Sequence, residues 1–227
     1  MHKTTILIAG HGNLAAAIQA NLSDHLECIV DSWENVDLYK QEHNKIIVHI
    51  GSGRQLPDIL AYCSMHRTPL IQGSTGLDYN YSGEEFTVVE SPNFNILLLK
   101  FMHMLKQFGK HFQSYEIRIT ESHQEAKTSV PGTAIAFAEY FGVASSTIRS
   151  IRNRAQQLHE LGIAAPYLDR HAVHVITIKE GDTTLSMRTE VLGLTSYVSG
   201  LAAIVQALPK LTKRFYHVVE LVELGLI

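Results

Sequence analysis

A strand followed directly by two closely spaced glycines and a helix constrains the fold of this chain more than any other feature. Thr4–Ala9 is an apolar run typical of a buried strand, and Asn13–Leu22 has an alanine-rich helical pattern. The residues that join them are Gly10-His11-Gly12-Asn13-Leu14-Ala15. Small residues at the first, third and sixth positions permit a tight turn, close approach of a ligand to backbone, and packing of the helix on the strand. The segment therefore predicts a Rossmann-like α/β domain with a parallel sheet.

This G-x-G-x-x-A turn also predicts what the domain binds. The helix that follows presents unpaired N–H groups and a positive dipole end, which suit the pyrophosphate of a dinucleotide. We expect Gly10, Gly12, Asn13 and Leu14 to bind an NADH or NADPH cofactor. Asp31 ends the second predicted strand about twenty residues further on, where a carboxylate accepts hydrogen bonds from the ribose hydroxyls and slightly favours NADH. A glycine turn that binds no nucleotide is the alternative.

Two more glycine-containing turns follow predicted strands of the same sheet. Strands are predicted at Lys45–Ile50, Pro69–Gln72 and Phe86–Val89, with a helix at Leu56–His66 between the first two. Ligands of open parallel sheets bind at the carboxyl ends of the strands, so the turns after the first two of these strands are candidates for the cofactor site. Ordinary turn chemistry is the alternative. The residues concerned are Gly51, Ser52, Gly73, Ser74 and Thr75, with Gly76 completing the second turn.

The hydrophobic pattern changes after residue 93, which predicts a second domain. A largely apolar helix is followed by alternating strands, a helix that opens at a P-G-T sequence, and a hairpin. The predicted elements are Ile96–Phe108, Tyr115–Thr120, a helix from Pro131 to Phe141, His174–Ile178, Thr184–Thr189 and a returning helix at Tyr197–Leu208. We expect a dinucleotide-binding domain at 1–93 and 196–227, and an α+β domain with a mixed or antiparallel sheet at 94–195 for substrate binding and oligomerisation.

Composition excludes several classes of function. The net charge is −3, and the short basic run Arg149–Arg154 is interpreted as a solvated face, so no nucleic-acid partner is expected. No apolar run is long enough for a membrane span, and no secretory signal pattern precedes the first strand. The two cysteines share no short spacing, which favours a reducing, cytoplasmic location. His171 and His174 would point to opposite faces of a strand, so no metal site is expected.

Several motifs, in order, resemble those of the dihydrodipicolinate reductase family of lysine biosynthesis. They are Gly73-Ser74-Thr75-Gly76, Ser91-Pro92-Asn93-Phe94-Asn95, Glu121-Ser122-His123-Gln124-Glu125-Ala126-Lys127 and Pro131-Gly132-Thr133-Ala134. This resemblance, to a short and divergent member, implies NAD(P)H-dependent reduction of 4-hydroxy-tetrahydrodipicolinate (dihydrodipicolinate) to tetrahydrodipicolinate in diaminopimelate and lysine biosynthesis. It adds Pro92, Asn93 and Phe94 to the expected cofactor residues, and it implies a homotetramer.

The resemblance also implies roles for the segment at 121–133. His123 would supply a proton as the hydride arrives, and Lys127 would hold or polarise the dicarboxylate substrate. Independent chemistry agrees, because hydride addition to a conjugated imine builds electron density that must be protonated, and histidine suits that task near neutral pH. Gly132 and Thr133 would offer N–H groups at a helix start to a substrate carboxylate.

Departures from the family pattern keep alternatives open. Gln124 occupies the position of the family's second adjacent histidine, and we assign it to substrate binding. The serine of the family's P-S-G-T is missing before Gly132, the family's aspartate near Ser129 is absent, and Met187-Arg188-Thr189 replaces a His-Arg-Ala sequence. A reductase of another cyclic imine or unsaturated acid, or a non-catalytic nucleotide-binding paralogue, therefore remains possible at this point.

Overall fold

The computed structural model describes residues 3–75, 77, 79–128 and 131–227, which form two compact units. The first comprises Met1–Leu99 and Leu194–Ile227, and the second comprises Lys100–Gly193. Gly76 and Ser129 of the sequence predictions lie outside the described residues. Among the described helices, none has both the length and the apolar character needed to cross a membrane.

The first unit is built on a parallel sheet, which has six strands within the described residues. Their spatial order is β10-β5-β4-β3-β1-β2, and every neighbouring pair is parallel. The strands are β1 Thr4–Ala9, β2 Cys28–Ser32, β3 Lys45–His49, β4 Leu70–Gln72, β5 Val88–Glu90 and β10 Phe215–His217. The central strands are buried on both faces, as expected for a parallel sheet covered by helices.

Helices cover both faces of this sheet because successive side chains of each strand point to opposite sides. Leu7 of β1 packs with Ile59 on one face, whereas Ile6 and Ile8 pack with Leu201 on the other. The helices of this unit are α1 Asn13–Asn21, α2 Leu56–His66, α6 Thr195–Ala207 and α7 Val218–Glu223. The predicted α/β fold class is confirmed.

The second unit contains a mixed sheet with the order β7-β6-β8-β9. β6 is parallel to β7 and antiparallel to β8, and β8 and β9 form the predicted hairpin, with Gly181 in its turn. The elements are β6 Glu116–His123, α4 Gly132–Phe141, β7 Arg149–Ile151, α5 Arg154–His159, β8 His171–Glu180 and β9 Thr183–Leu192. Helix α3, Ile96–Phe108, begins in the first unit and continues into the second.

The structure adds two details to the sequence analysis. The run Arg149–Arg154 is exposed over most of its length, as a solvated face would be, but Ile151 is buried in β7 and Arg152 pairs with a buried carboxylate of β6. Residues 215–223, for which the sequence predicted no strand or helix, form β10 and α7. β10 has only three residues, too few for a pattern of alternation to show; its partner strand β5 identifies it.

Candidate active site

Glu121, near the end of β6, is a fully buried carboxylate between two nitrogen-bearing partners. Its Oε1 and Oε2 accept hydrogen bonds from Nη2 and Nη1 of Arg152 at 2.7 and 3.1 Å, and Oε2 lies 2.9 Å from Nδ1 of His123. Burial by itself raises the pKa of the Glu121 carboxyl, but hydrogen bonds from His123, Arg152 and Ser150 outweigh burial and lower that pKa to about 2. The group is therefore an anion at neutral pH.

The charge of Glu121 determines which tautomer His123 adopts. An ionised carboxylate only accepts hydrogen bonds, so Nδ1 of His123 carries a hydrogen and donates it. Nε2 is then the ring nitrogen that can exchange a proton with a ligand. The side chain of His123 is 14% exposed, and Nε2 of the buried Gln157 donates to its backbone carbonyl at 2.8 Å. The contact of Glu121 with the ring and the contact of Gln157 with the backbone carbonyl thus orient His123 together.

His174 of β8 lies opposite Glu121 and packs against His123. Its ring centroid is 5.8 Å from that of His123 and 5.3 Å from that of Phe137 on α4. Burial, together with the nearby His123, lowers the pKa of His174 to about 4, although Glu121 opposes the shift. His174 is therefore neutral and packs as an aromatic side chain. His171 faces the other side of the sheet, as its spacing from His174 predicts.

Arg152 also contacts the segment that carries Lys127. Its Nε donates to the backbone carbonyl of Lys127 at 2.7 Å, and the Lys127 N–H donates to the carbonyl of Gln124 at 2.9 Å. Gln124 and Lys127 are half-buried. The structure thus brings His123, Gln124 and Lys127 together at one end of β6, and Arg152 connects them to the buried carboxylate.

Helix α4 begins at Gly132 with its first N–H groups available to a ligand. Pro131 is the N-cap residue and no side chain caps the helix among the residues that the structure describes. Gly132 is exposed, and a Cβ there would contact nothing within 4 Å. Gly132 and Thr133 therefore lie at an uncapped helix start, a geometry that can accept an anion.

The first unit has a cleft of about 430 Å³ at the carboxyl ends of β1 and β3. A Cβ on Gly10 would lie 2.9 Å from the carbonyl oxygen of Ile50, whereas one on Gly12 would contact nothing within 4 Å. Gly10 thus permits the turn itself, and Gly12 leaves open space before the N-terminus of α1. The residues that line the cleft are Gly10, His11, Gly12, Ile50, Gly51, Ser52, Arg54 and Gln55.

A buried polar network supports the turns after β3 and β4. His49 Nδ1 and Ser74 N–H both donate to Oε1 of Gln72, at 2.9 and 3.1 Å, and Ser74 Oγ donates to the Gly51 carbonyl at 2.8 Å. Gly73 has a packing role, because a Cβ there would lie 2.4 Å from the ring of Phe94. Burial lowers the pKa of His49, so the network holds a neutral histidine.

Asp31 is already hydrogen-bonded within its own segment. Its Oδ1 accepts from the Ser32 N–H at 2.7 Å and from Asn35 at 2.8 Å, and its Oδ2 accepts from the Tyr39 hydroxyl at 2.8 Å. Hydrogen bonds from Asn35 and Tyr39 lower the pKa of this carboxyl. The carboxylate is therefore ionised and held in one orientation.

The other residues predicted to bind a cofactor do not line the cleft. Leu14 packs against the core, Asn93 Oδ1 accepts from the Asn95 N–H at 2.8 Å, and the Phe94 side chain is 1% exposed. Phe94 can therefore meet a ligand only through its backbone. Asn13, Thr75 and Pro92 are exposed.

Sequence reasoning assigned no role in the site to Glu121, Arg152, Gln157, His49 or Arg54, although Glu121 belongs to the motif at 121–127. Glu121 alternates with His123 on a strand and so shares its face, a signal that a longer predicted β6 would have revealed. Arg152 and Gln157 reach the site from distant segments, and no local pattern identifies such contacts. Among the described residues, no group of three or more histidine, cysteine, aspartate or glutamate side chains could hold a metal ion.

The segment that carries this arrangement matches a known family. The profile of the family described as dihydrodipicolinate reductase, C-terminus, matches residues 98–222, more than half of the 227-residue chain. The chain belongs to the dihydrodipicolinate reductase family. The predicted family is confirmed, and Glu121, His123, Lys127 and Arg152 all lie within the matched range.

Sequence relatives carry the corresponding name. The chain is 28% identical over 178 residues to 4-hydroxy-tetrahydrodipicolinate reductase 1, chloroplastic, of Arabidopsis thaliana, which covers 69% of this chain and 51% of that protein. It is 23% identical over 205 residues to the 4-hydroxy-tetrahydrodipicolinate reductase of Rickettsia akari, covering 83% of this chain and 84% of that one. The chain thus spans about half the length of the plant reductase.

Solved structures support the fold of this reductase-family chain. A dipicolinate-bound dihydrodipicolinate reductase from Paenisporosarcina sp. TG-14 superposes with a TM-score of 0.72 at 13% identity, covering 95% of this chain and 98% of that one. The DAP dehydrogenase of C. glutamicum, solved with DAP, gives a TM-score of 0.52 at 9% identity. At these identities the likeness shows a shared fold.

Proposed function

We propose that this chain is an NAD(P)H-dependent reductase that converts 4-hydroxy-tetrahydrodipicolinate to tetrahydrodipicolinate in diaminopimelate and lysine biosynthesis. The first unit would bind the dinucleotide and the second would bind the dicarboxylate substrate. The carrying observation is that His123, oriented by Glu121, lies with Lys127 at one end of a strand inside the segment that matches the family.

The chemistry of these residues fits that reaction. Once the 4-hydroxyl of the substrate has left as water, a bound nicotinamide would supply a hydride to the conjugated imine. The proton would come from Nε2–H of a His123 ring that is protonated on both nitrogens, and the ring would return to its Nδ1–H tautomer. The ammonium of Lys127 and the N–H groups of Gly132 and Thr133 bind the substrate carboxylates, while Gln124 offers a neutral hydrogen-bonding group.

The test of this function uses freshly made substrate. The purified protein is mixed with NADH, or in a parallel assay with NADPH, and with substrate generated by the preceding synthase, and loss of the nicotinamide absorbance is followed. We expect turnover that requires the synthase product. No oxidation of either NADH or NADPH would refute the proposal.

The cleft of the first unit fits a dinucleotide. The open space at Gly12 and the uncapped start of α1 suit a pyrophosphate, and the ionised Asp31 suits ribose hydroxyls. We propose NADH as the preferred cofactor. Asp31→Ala is expected to weaken NADH binding while NADPH binding changes less, measured by the quenching of protein fluorescence. Tighter binding of NADPH than of NADH by the wild-type chain would contradict this proposal.

One observation favours a second substrate class. Gln124 replaces a histidine of the family pattern, and the helix start lacks the family's serine before Gly132. The groups that would bind the substrate carboxylates therefore differ from those of the family pattern. Another cyclic imine or unsaturated acid is the candidate. Faster NADH oxidation with such a compound than with the synthase product would favour this alternative.

We also propose that the chain forms a homotetramer through the second unit. β9 is an edge strand among the described residues, and Leu185 is 50% exposed on it, which leaves apolar surface for another copy. Leu185→Lys should lower the molecular mass measured by analytical ultracentrifugation. Leu38→Lys, at a position 78% exposed in the first unit, is the matched control and should leave the mass unchanged.

A further inference from the structure

Glu121 is closed off from solvent, so any role that it has in the reaction is exerted through its neighbours. Its exposure is 0%, and both carboxylate oxygens are occupied by Arg152 and His123. We propose that Glu121 and Arg152 form a positioning pair that holds His123 as its Nδ1–H tautomer and holds the Lys127 loop in place. This inference rests on the proposed function, in which the His123 ring binds a second proton at Nε2, donates that proton to the substrate and returns to the Nδ1–H tautomer.

The first half of the pair acts on the imidazole. Of the charged and titratable groups around His123, Glu121 on β6 accepts from its Nδ1, Arg152 shares that carboxylate, and the neutral His174 of β8 packs against the ring. His171 lies on the reverse face of the sheet. Within the part of the chain that the structure describes, only the carboxylate is placed to select a tautomer, because His174 contacts the ring in an edge-on arrangement and Gln157 contacts the backbone.

The second half of the pair acts on the loop. Arg152 uses Nη1 and Nη2 for the carboxylate and Nε for the Lys127 carbonyl, so one planar guanidinium joins the buried anion to the loop. A lysine at this position would keep the positive charge, but its single ammonium lacks the fork geometry that makes all three contacts. The two residues therefore have separable effects, Glu121 on proton transfer and Arg152 on substrate binding.

The experiment compares Glu121→Gln, Glu121→Asp and Arg152→Lys with the wild-type chain. The tautomer of His123 is read from ¹⁵N chemical shifts of its ring, and kcat and KM are measured with the synthase product. Glu121→Gln should lose the preference for Nδ1–H and lower kcat about 100-fold with little change in KM. Glu121→Asp should retain part of the Nδ1–H preference and part of the kcat that Glu121→Gln loses. Arg152→Lys should keep the tautomer and raise KM.

The exposed pair Glu116 and Arg118 on the same strand supplies matched controls, since Arg118 Nε donates to Glu116 at 2.7 Å. Glu116→Gln and Arg118→Lys should change none of these quantities. An unchanged tautomer in Glu121→Gln, or an unchanged KM in Arg152→Lys, would overturn the corresponding half of the proposal. If Glu121→Gln does not fold, wild-type behaviour in both Glu121→Asp and Arg152→Lys would overturn it.

Failure of the proposed function gives a different result. A wild-type chain that does not oxidise NADH with the synthase product, yet shows the Nδ1–H tautomer and loses it in Glu121→Gln, refutes the reductase assignment alone. A wild-type chain that turns over, but shows the Nε2–H tautomer at His123, refutes the positioning pair alone.

Discussion

The imidazole of His123 illustrates how a common side chain acquires a defined chemical role. The chain contains 13 histidines, and most histidines in a sequence are ordinary surface or structural residues. At position 123, a buried anion accepts a hydrogen bond from Nδ1–H, a glutamine donates to the backbone carbonyl, and a neutral histidine packs against the ring. These contacts fix the direction of Nε2 before any substrate arrives.

Replacing His123 tests this role directly. His123→Asn is expected to lower kcat by about two to four orders of magnitude, the usual contribution of a general acid, while NADH binding stays intact. Stopped-flow turnover and fluorescence titration measure the two quantities. His159→Asn, at an exposed position of α5, is the matched control. Wild-type turnover in His123→Asn would remove the catalytic assignment.

Helix α6 shows how a single element can depend on the absence of a side chain. A Cβ on Gly200 would lie 1.7 Å from the carbonyl oxygen of Phe94, a distance at which backbone must move. Alanine normally stabilises a helix by about 1 kcal/mol relative to glycine. Here the sign reverses, because the close approach to residue 94 requires glycine.

We therefore expect Gly200→Ala to lower the free energy of unfolding by about 2 kcal/mol or more, since overpacking of a well-packed core typically costs about 1–3 kcal/mol. Urea denaturation measures this change. Ser199→Ala, on the exposed side of the same helix, should change the value by about 0.5 kcal/mol or less. A stabilised Gly200→Ala protein would show that helix α6 does not approach the backbone of Phe94 this closely.

A helix or strand can be predicted from the sequence when a local hydrophobic pattern specifies it, and not when pairing with a distant segment does. Helices α2 and α3 and strand β1 were predicted with their observed bounds, since each has a strong local pattern. β6 was predicted to end at Thr120 but continues to His123, because the antiparallel partner β8 extends the pairing through the polar residues Glu121 and Ser122. The motif at 121–127 located the candidate site and contains Glu121, but Gln157 of α5, His174 of β8 and Arg152, which follows β7, reach the site from other segments. Tertiary pairing, rather than local preference, defines those contacts.

For the whole molecule, buried histidines make stability depend on pH. Burial lowers the pKa of His49, His171 and His174 from the ordinary value of 6.5, with that of His174 at about 4. As pH falls below 6.5 the unfolded chain binds protons that the folded chain does not, so stability falls. Glu121 adds a second loss below its ordinary pKa of 4.5, as the folded carboxylate resists protonation down to about 2.

The free energy of unfolding should therefore fall between about pH 7 and about pH 5, with about 2 kcal/mol of that loss from His174 alone. Urea denaturation at the two pH values measures the difference. His174→Asn should show a smaller decrease than wild type, and the exposed His159→Asn the same decrease as wild type. Equal decreases in all three would contradict the assignment to the buried imidazole.

The pairing of β10 with β5 has a consequence for how this protein folds while the ribosome synthesises it. Residues 215–217 complete a sheet that begins at residue 4, and α6 packs beside α1, whereas the second unit is a continuous stretch of chain. A ribosome delivers that continuous stretch before it delivers the returning segment. The second unit is thus synthesised in full while the sheet of the first unit still lacks β10, so chaperones that attend this protein during translation would meet a parallel sheet with an unpaired β5 edge.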